Sequence, residues 1–199
     1  MLRTLNLEEI QGMLLRVPGL VDAMDRNDAG FSALVRGWLA EVEEVLKNNR
    51  LAAAGEVAAL RGTLIAAERG ALPAGITVAG RATPRRLRDA AAADALRRAE
   101  SAVSGAVRAD AERVAEAEGM LRQVATLAAW KGTLPGPGYP GTHTARVQAA
   151  WSAVSTDPDT AGAALRVAGL VGAQDALILL DRALATVSVP QLPPNRAAE

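Results

Sequence analysis

His143, the single histidine, lies in the run Tyr139-Pro-Gly-Thr-His-Thr. An imidazole does acid–base, nucleophile-activating or ligand chemistry only beside a suitable partner. No Ser or Cys nucleophile motif and no second histidine accompanies this one, so its expected place is a helix start and its expected role structural. The chain has no cysteine, which excludes a disulfide scaffold, a cysteine-based zinc or iron–sulfur site and a thiol nucleophile. A four-helix di-iron centre needs repeated Glu-x-x-His motifs, and one histidine cannot supply them. Asp25-Arg-Asn27-Asp-Ala29-Gly30 opens like a calcium loop. It puts Ala29 at the fifth position and Arg36 where the bidentate glutamate belongs. Gly136-x-Gly138-x-x-Gly141 spells a dinucleotide fingerprint, yet it is filled with proline and follows a helical stretch instead of a strand. Glu41 with Glu44 and Glu112 with Glu116 recur at helical spacing and read as solvated faces. The expectation is a protein without catalytic residues, metal or cofactor, and not an enzyme.

Arginine rises above this background. Arg81, Arg85, Arg86, Arg88, Arg97 and Arg98 face only Asp89 and Asp94 in the same stretch. The whole chain has no formal net charge, but residues 81–131 hold 10 basic against 7 acidic residues, whereas 1–80 hold 8 against 10 and 132–199 hold 4 against 5. Three of these arginines fall near the first turn of a helix, where the macrodipole disfavours cations by about a few tenths of a kcal/mol each. A surplus in that position points to an anionic partner: phosphate, nucleic acid, an acidic protein surface or anionic lipid. No aromatic is near to stack on bases. The competing reading is a solubilising surface written in arginine, because 20 Arg against 2 Lys, with 44 Ala, indicates GC-rich coding and a bacterial source.

The elements that position these residues are helical. Ala, Leu, Glu and Arg favour helix, and β-branched and aromatic residues are sparse. Asn6 followed by Glu9 reads as a capping box opening a helix to Val17, interrupted at Pro18-Gly19 and resumed to about Asn27. Asp28 caps a second segment, Ala29 to Arg69, with amphipathic spacing at Leu34, Trp38, Val42, Val45 and Leu46 and a break signal at Asn48-Asn49. Residues 70–83 form a Gly/Pro-bearing connector with a short extended stretch at Ile76 to Val78. Thr83-Pro84 then starts a helix that nothing but Gly105 or Gly119 interrupts before Gly132. Its seam is heptad-like, with Leu96, Val103, Asp110, Ala117 and Val124 in one row and Val107, Val114, Leu121 and Ala128 in the other. Asp110 would set register there. A Gly/Pro loop (132–141) precedes a helix from about Thr144 to Val154 and another from Asp157-Pro158 to Val187, bent at Gly169 or Gly172, before a frayed tail at 190–199.

Two internal similarities stand out. Gly12–Asp25 and Gly162–Asp175 agree at nine of fourteen positions, which predicts similar bent helices. Ile65–Pro73 and Leu127–Pro135 share a helix stop: a cation in the last turn, glycine at the left-handed position, an apolar staple, then proline.

At about 1.5 Å per residue the 84–131 helix would measure roughly 72 Å, against a diameter of about 40 Å for a compact chain of this length. The expected fold is therefore all-α: one domain (1–189), an elongated helical bundle built on a long antiparallel hairpin of 29–69 and 84–131, with the N- and C-terminal helices packed at one end. No leader pattern opens the sequence, and its longest aliphatic run, Ala176 to Leu180, is far short of a span, so a soluble cytoplasmic protein is expected. The expected function is helical interaction or assembly, a homo-oligomer associating through apolar or Ala-rich faces, with Leu96, Val103, Val107, Asp110, Val114, Leu121 and Val124 as the seam. The alternative is a DNA-binding protein, a dimer whose 81–98 arginines contact phosphates.

Overall fold

Every regular element among the described residues is a helix. The computed structural model describes residues 1–71, 76, 83–136 and 139–187. Its order is α1 (Thr4–Leu14), α2 (Val17–Asp25), α3 (Phe31–Asn48), α4 (Ala53–Glu68), α5 (Pro84–Lys131), α6 (His143–Thr156), α7 (Ala161–Val171) and α8 (Ala173–Thr186). The all-α class and the uninterrupted 48-residue α5 are as the sequence predicts. Neither Gly105 nor Gly119 breaks α5, and a methyl group added at either would meet nothing within 4 Å. The chain divides into two compact units: an N-terminal one of Leu2 and Thr4–Asp110, and a C-terminal one of Met1, Arg3 and the residues from Ala111 onward. Residues 77 and 78 of the extended stretch expected at 76–78, most of the 70–83 connector, and the 190–199 tail lie outside the described residues.

In the N-terminal unit, α3 carries the core. Phe31, Val35, Trp38, Leu39, Val42, Val45 and Leu46 are buried along one stripe of it, and α1, α2 and α4 all pack on this helix. Pro18 has no N–H to give the carbonyl of Leu14, so the first helix ends at Leu14 and α2 restarts at Val17. The freed end is satisfied in part by Trp38, whose indole N–H donates to the Met13 carbonyl at 2.9 Å. Asn6 sits inside α1, not at its cap, because the helix begins at Thr4.

The 29–69 arm is not one continuous helix; it breaks at the Asn48-Asn49 signal. Asn49 and Arg50 end α3, Arg50 adopts φ +56, and α4 folds back antiparallel onto α3. The stop is held by Leu51 N–H donating to the Leu46 carbonyl (3.0 Å) and Arg50 N–H to Lys47 (2.9 Å). The same six-to-one closure recurs at Asp28 to Ala23 (2.9 Å), Ala71 to Ala66 (2.9 Å) and Thr133 to Ala128 (3.0 Å). The residue before each donor is left-handed: Asn27 at φ 53, Gly70 at 94 and Gly132 at 68. One device, the Schellman stop, therefore ends four helices of this chain.

In the C-terminal unit, α6, α7 and α8 pack on one another. Val114, Ala117, Leu121, Val124, Ala125 and Ala128 of α5 are buried at three- and four-residue spacing. Thr142 caps α6 by accepting the Ala145 N–H at 3.2 Å. Asp157, extended before Pro158, ends α6, and α7 begins at Ala161 instead of at the proline. Thr160, buried, donates its hydroxyl to the Val154 carbonyl at 2.6 Å. Gly172, at φ 86 and ψ 156, separates α7 from α8.

The two similar segments are both helical but bend at different aligned places, the first at Leu15-Arg16 and the second at Gly172. They nonetheless share a local use of Leu-Arg-Val. Leu15 and Leu165 are 80% and 76% exposed, and Val17 and Val167 are buried. Arg16 pairs with Glu41, and Arg166 pairs with Glu116 at 2.5 Å.

Candidate functional site

Arg81 lies outside the described residues; the other five arginines of the basic stretch are exposed on α5. The structure finds local anions for most of them. Arg85 is 3.5 Å from Asp89 and donates to the Asn27 carbonyl at 2.5 Å, which places a cation on the C-terminal stop of α2 where the helix dipole favours one. Arg97 and Arg98 share Asp94 at 2.7 and 3.6 Å, and Thr83 accepts the Arg86 backbone N–H at 3.3 Å. At about 100° per residue, Arg85, Arg86, Arg88, Arg97 and Arg98 project at roughly 0°, 100°, 300°, 120° and 220° around α5. They ring the helix instead of forming one face.

Of the expected seam, Leu96, Val103, Val107, Val114, Leu121 and Val124 are all buried in the chain's own core. Asp110 is half-buried and accepts the Leu2 backbone N–H at 3.2 Å. The heptad pattern is real, and intramolecular packing consumes it. Large apolar side chains left in water lie elsewhere, among them Trp130 and Leu127 on the last turns of α5, Leu165 on α7, and Leu15, Leu5 and Leu34 in the N-terminal unit, so Leu34 is not on the buried stripe of α3.

A cleft of about 330 Å³ opens in the C-terminal unit between the end of α5, the loop after it, α6 and α8. Ala129, Leu134, Pro135, Leu184, Ala185 and Val187 give it an apolar lining, and His143, Arg146 and Asp181 form its polar wall. His143, at the first position of α6 as expected, has Nε2 at 2.9 and 3.0 Å from the two carboxylate oxygens of Asp181 on α8. Its Nδ1 is 3.2 Å from Nη2 of Arg146. Arg146 can only donate, so the consistent tautomer is Nε2–H, with the ring bridging a cation to an anion. This wall lacks a Ser, Thr or Cys nucleophile among the described lining residues. Its donors and acceptors can orient and bind a polar group.

No family model, curated protein or solved structure matches this chain. The residues of the cleft were missed by sequence reading because His143 and Asp181 are 38 positions apart and no motif joins them. The available signal was weak: a lone histidine at a capped helix start, three residues before an arginine.

The groups that hold charge away from the cleft are structural. Glu43, 5% exposed, accepts from Arg61 Nε at 2.8 Å and from Lys47. Those hydrogen bonds, that of Arg61 first, hold its carboxyl below the usual range. Lys131 at the end of α5 donates to Asp157 and Asp159 at 2.5 and 2.9 Å, which raises the ammonium and lowers Asp157. Among the described residues no cluster of three or more His, Asp or Glu is placed to hold a metal, and no helix is long and apolar enough to cross a membrane.

Proposed function

We propose that the protein is a helical interaction module that associates with further copies of itself and acts by binding, not by catalysis. The observation that carries this reading is Trp130, 77% exposed on the last turn of α5, with Leu127 three residues earlier and also exposed. Exposed tryptophan is costly in water and enriched among the residues that dominate protein–protein binding energy. The contact face is thus the outer side of the α5 terminus, and the heptad seam contributes rigidity.

Light scattering behind a sizing column, between about 10 and 100 μM, tests the reading. An oligomer that Trp130→Ser and Leu127→Ser together convert to monomer is expected; a wild-type monomer across that range overturns it. Phosphate binding by Arg85, Arg86, Arg88, Arg97 and Arg98 is the second reading. It draws support from their exposure, and less from their spread around the helix and their pairing with Asp89 and Asp94.

A further inference from the structure

We propose that the cleft of the C-terminal unit is a binding site for a small amphipathic anion, an apolar chain or ring bearing one carboxylate, whose head pairs with Arg146. This stands apart from the assembly reading, which uses the outer side of α5. About 330 Å³ is at the lower end of ligand-pocket sizes, which run from about 300 to 1,000 Å³, so the occupant is small. Its body must be apolar, because Ala129, Leu134, Pro135, Leu184, Ala185 and Val187 make most of the lining.

The sign of its head follows from how the polar wall is occupied. Asp181 is engaged by the His143 ring through both carboxylate oxygens. Arg146 is half-buried, gives one Nη2 hydrogen to His143, and has no carboxylate within ion-pairing distance among the described residues. A guanidinium has five N–H donors in a planar fork suited to carboxylate, so most of this fork remains available at the cleft. His143 holds it in place and separates it from Asp181. A cationic head would instead meet the Arg146 charge, and the Asp181 carboxylate it would seek already shares the Nε2–H of His143 across both oxygens.

Isothermal titration at neutral pH with octanoate, 1-octanol and octylamine reads the head group while the chain is held constant. Octanoate is expected to bind at least about fivefold more tightly than octanol, the scale of a partly exposed ion pair, and octylamine most weakly. Hexanoate should lose about tenfold for its two missing methylenes. Arg146→Gln should bring octanoate down to the affinity of octanol and leave octanol unchanged, which a merely unfolded variant would not do. Ala185→Phe, at an exposed cleft position on α8, should abolish binding of both with the helical circular dichroism intact. The proposal is overturned if octanoate gives no heat up to about 10 mM, if octylamine binds best, or if a folded Arg146→Gln variant binds octanoate as the wild type does.

Discussion

At the residue scale, the informative charges are those whose surroundings decide their form. Glu41 and Glu44 are exposed, as solvated-face carboxylates should be, but Glu43 between them is buried against Arg61 and Lys47. Nothing in a run of three glutamates around a valine says which one turns inward; the tertiary position of Arg61 on α4 decides it. Replacing Glu43 by Gln should cost about 1–3 kcal/mol at neutral pH. It falls short of the usual penalty for breaking a buried pair, because Arg61 and Lys47 are 35% and 56% exposed and can rehydrate. The sign in acid follows from linkage. A carboxyl held below its unfolded value contributes stability that is complete above about pH 4.3, the free glutamate value, and is lost as pH falls through the lower folded value. Thermal melts from pH 7 to 3 should therefore show the wild type losing stability below about pH 4.3 more steeply than Glu43→Gln, the two curves converging in acid. Parallel curves would remove Glu43 from the acid transition. The His143–Asp181 pair shows the other limit of legibility at this scale: each residue is ordinary in sequence, and only the packing of α6 on α8 brings them together.

At the element scale, helix starts and stops were legible where small or restricted residues mark them. Thr83-Pro84, Gly70 and Gly132 fall where the sequence places a boundary, Gly172 divides two helices where the sequence offered only a bend at Gly169 or Gly172, and the stops at Gly70 and Gly132 have the same hydrogen bonds. The end of α3 was signalled at Asn48-Asn49, but the reversal at Arg50 was concealed, because arginine carries no left-handed preference; its φ of +56 accompanies the packing of α4 on α3. The two kinds of stop respond oppositely to substitution. Gly132→Ala should destabilise by about 1–2 kcal/mol, the cost of a Cβ in the left-handed region. Arg50→Gly should be neutral or stabilising, since the strain it relieves and the backbone entropy it adds are both about 1 kcal/mol. Denaturant midpoints at unchanged slope measure both. Within α5, Gly105→Ala and Gly119→Ala should each add about 0.5–1 kcal/mol, because the helix is continuous there and the added methyl meets no neighbour. A loss on either substitution would mean that α5 bends at that glycine.

At the scale of the whole molecule, the zero net charge and the exposed tryptophan distinguish the two forces that could bring copies or partners together. Association through Trp130 and Leu127 is apolar, so added salt screens little of it and excluded salts such as sulfate strengthen it. Association through the α5 arginines on an anionic polymer would weaken steeply over the same range, each neutralised phosphate releasing a counterion. Trp130 reports which occurs. Of the three tryptophans, Trp38 is 1% exposed and Trp151 is half-buried, so red-edge emission that acrylamide quenches comes mainly from Trp130. As protein concentration rises through the range where the scattering mass increases, that emission should shift to the blue and its quenching should fall. Trp130→Phe should remove the shift. Raising sodium sulfate should move the transition to lower protein concentration. A transition that moves to higher concentration with salt, or a mass increase with no change at Trp130, would place the contact on charged surface and remove the end of α5 from the interface.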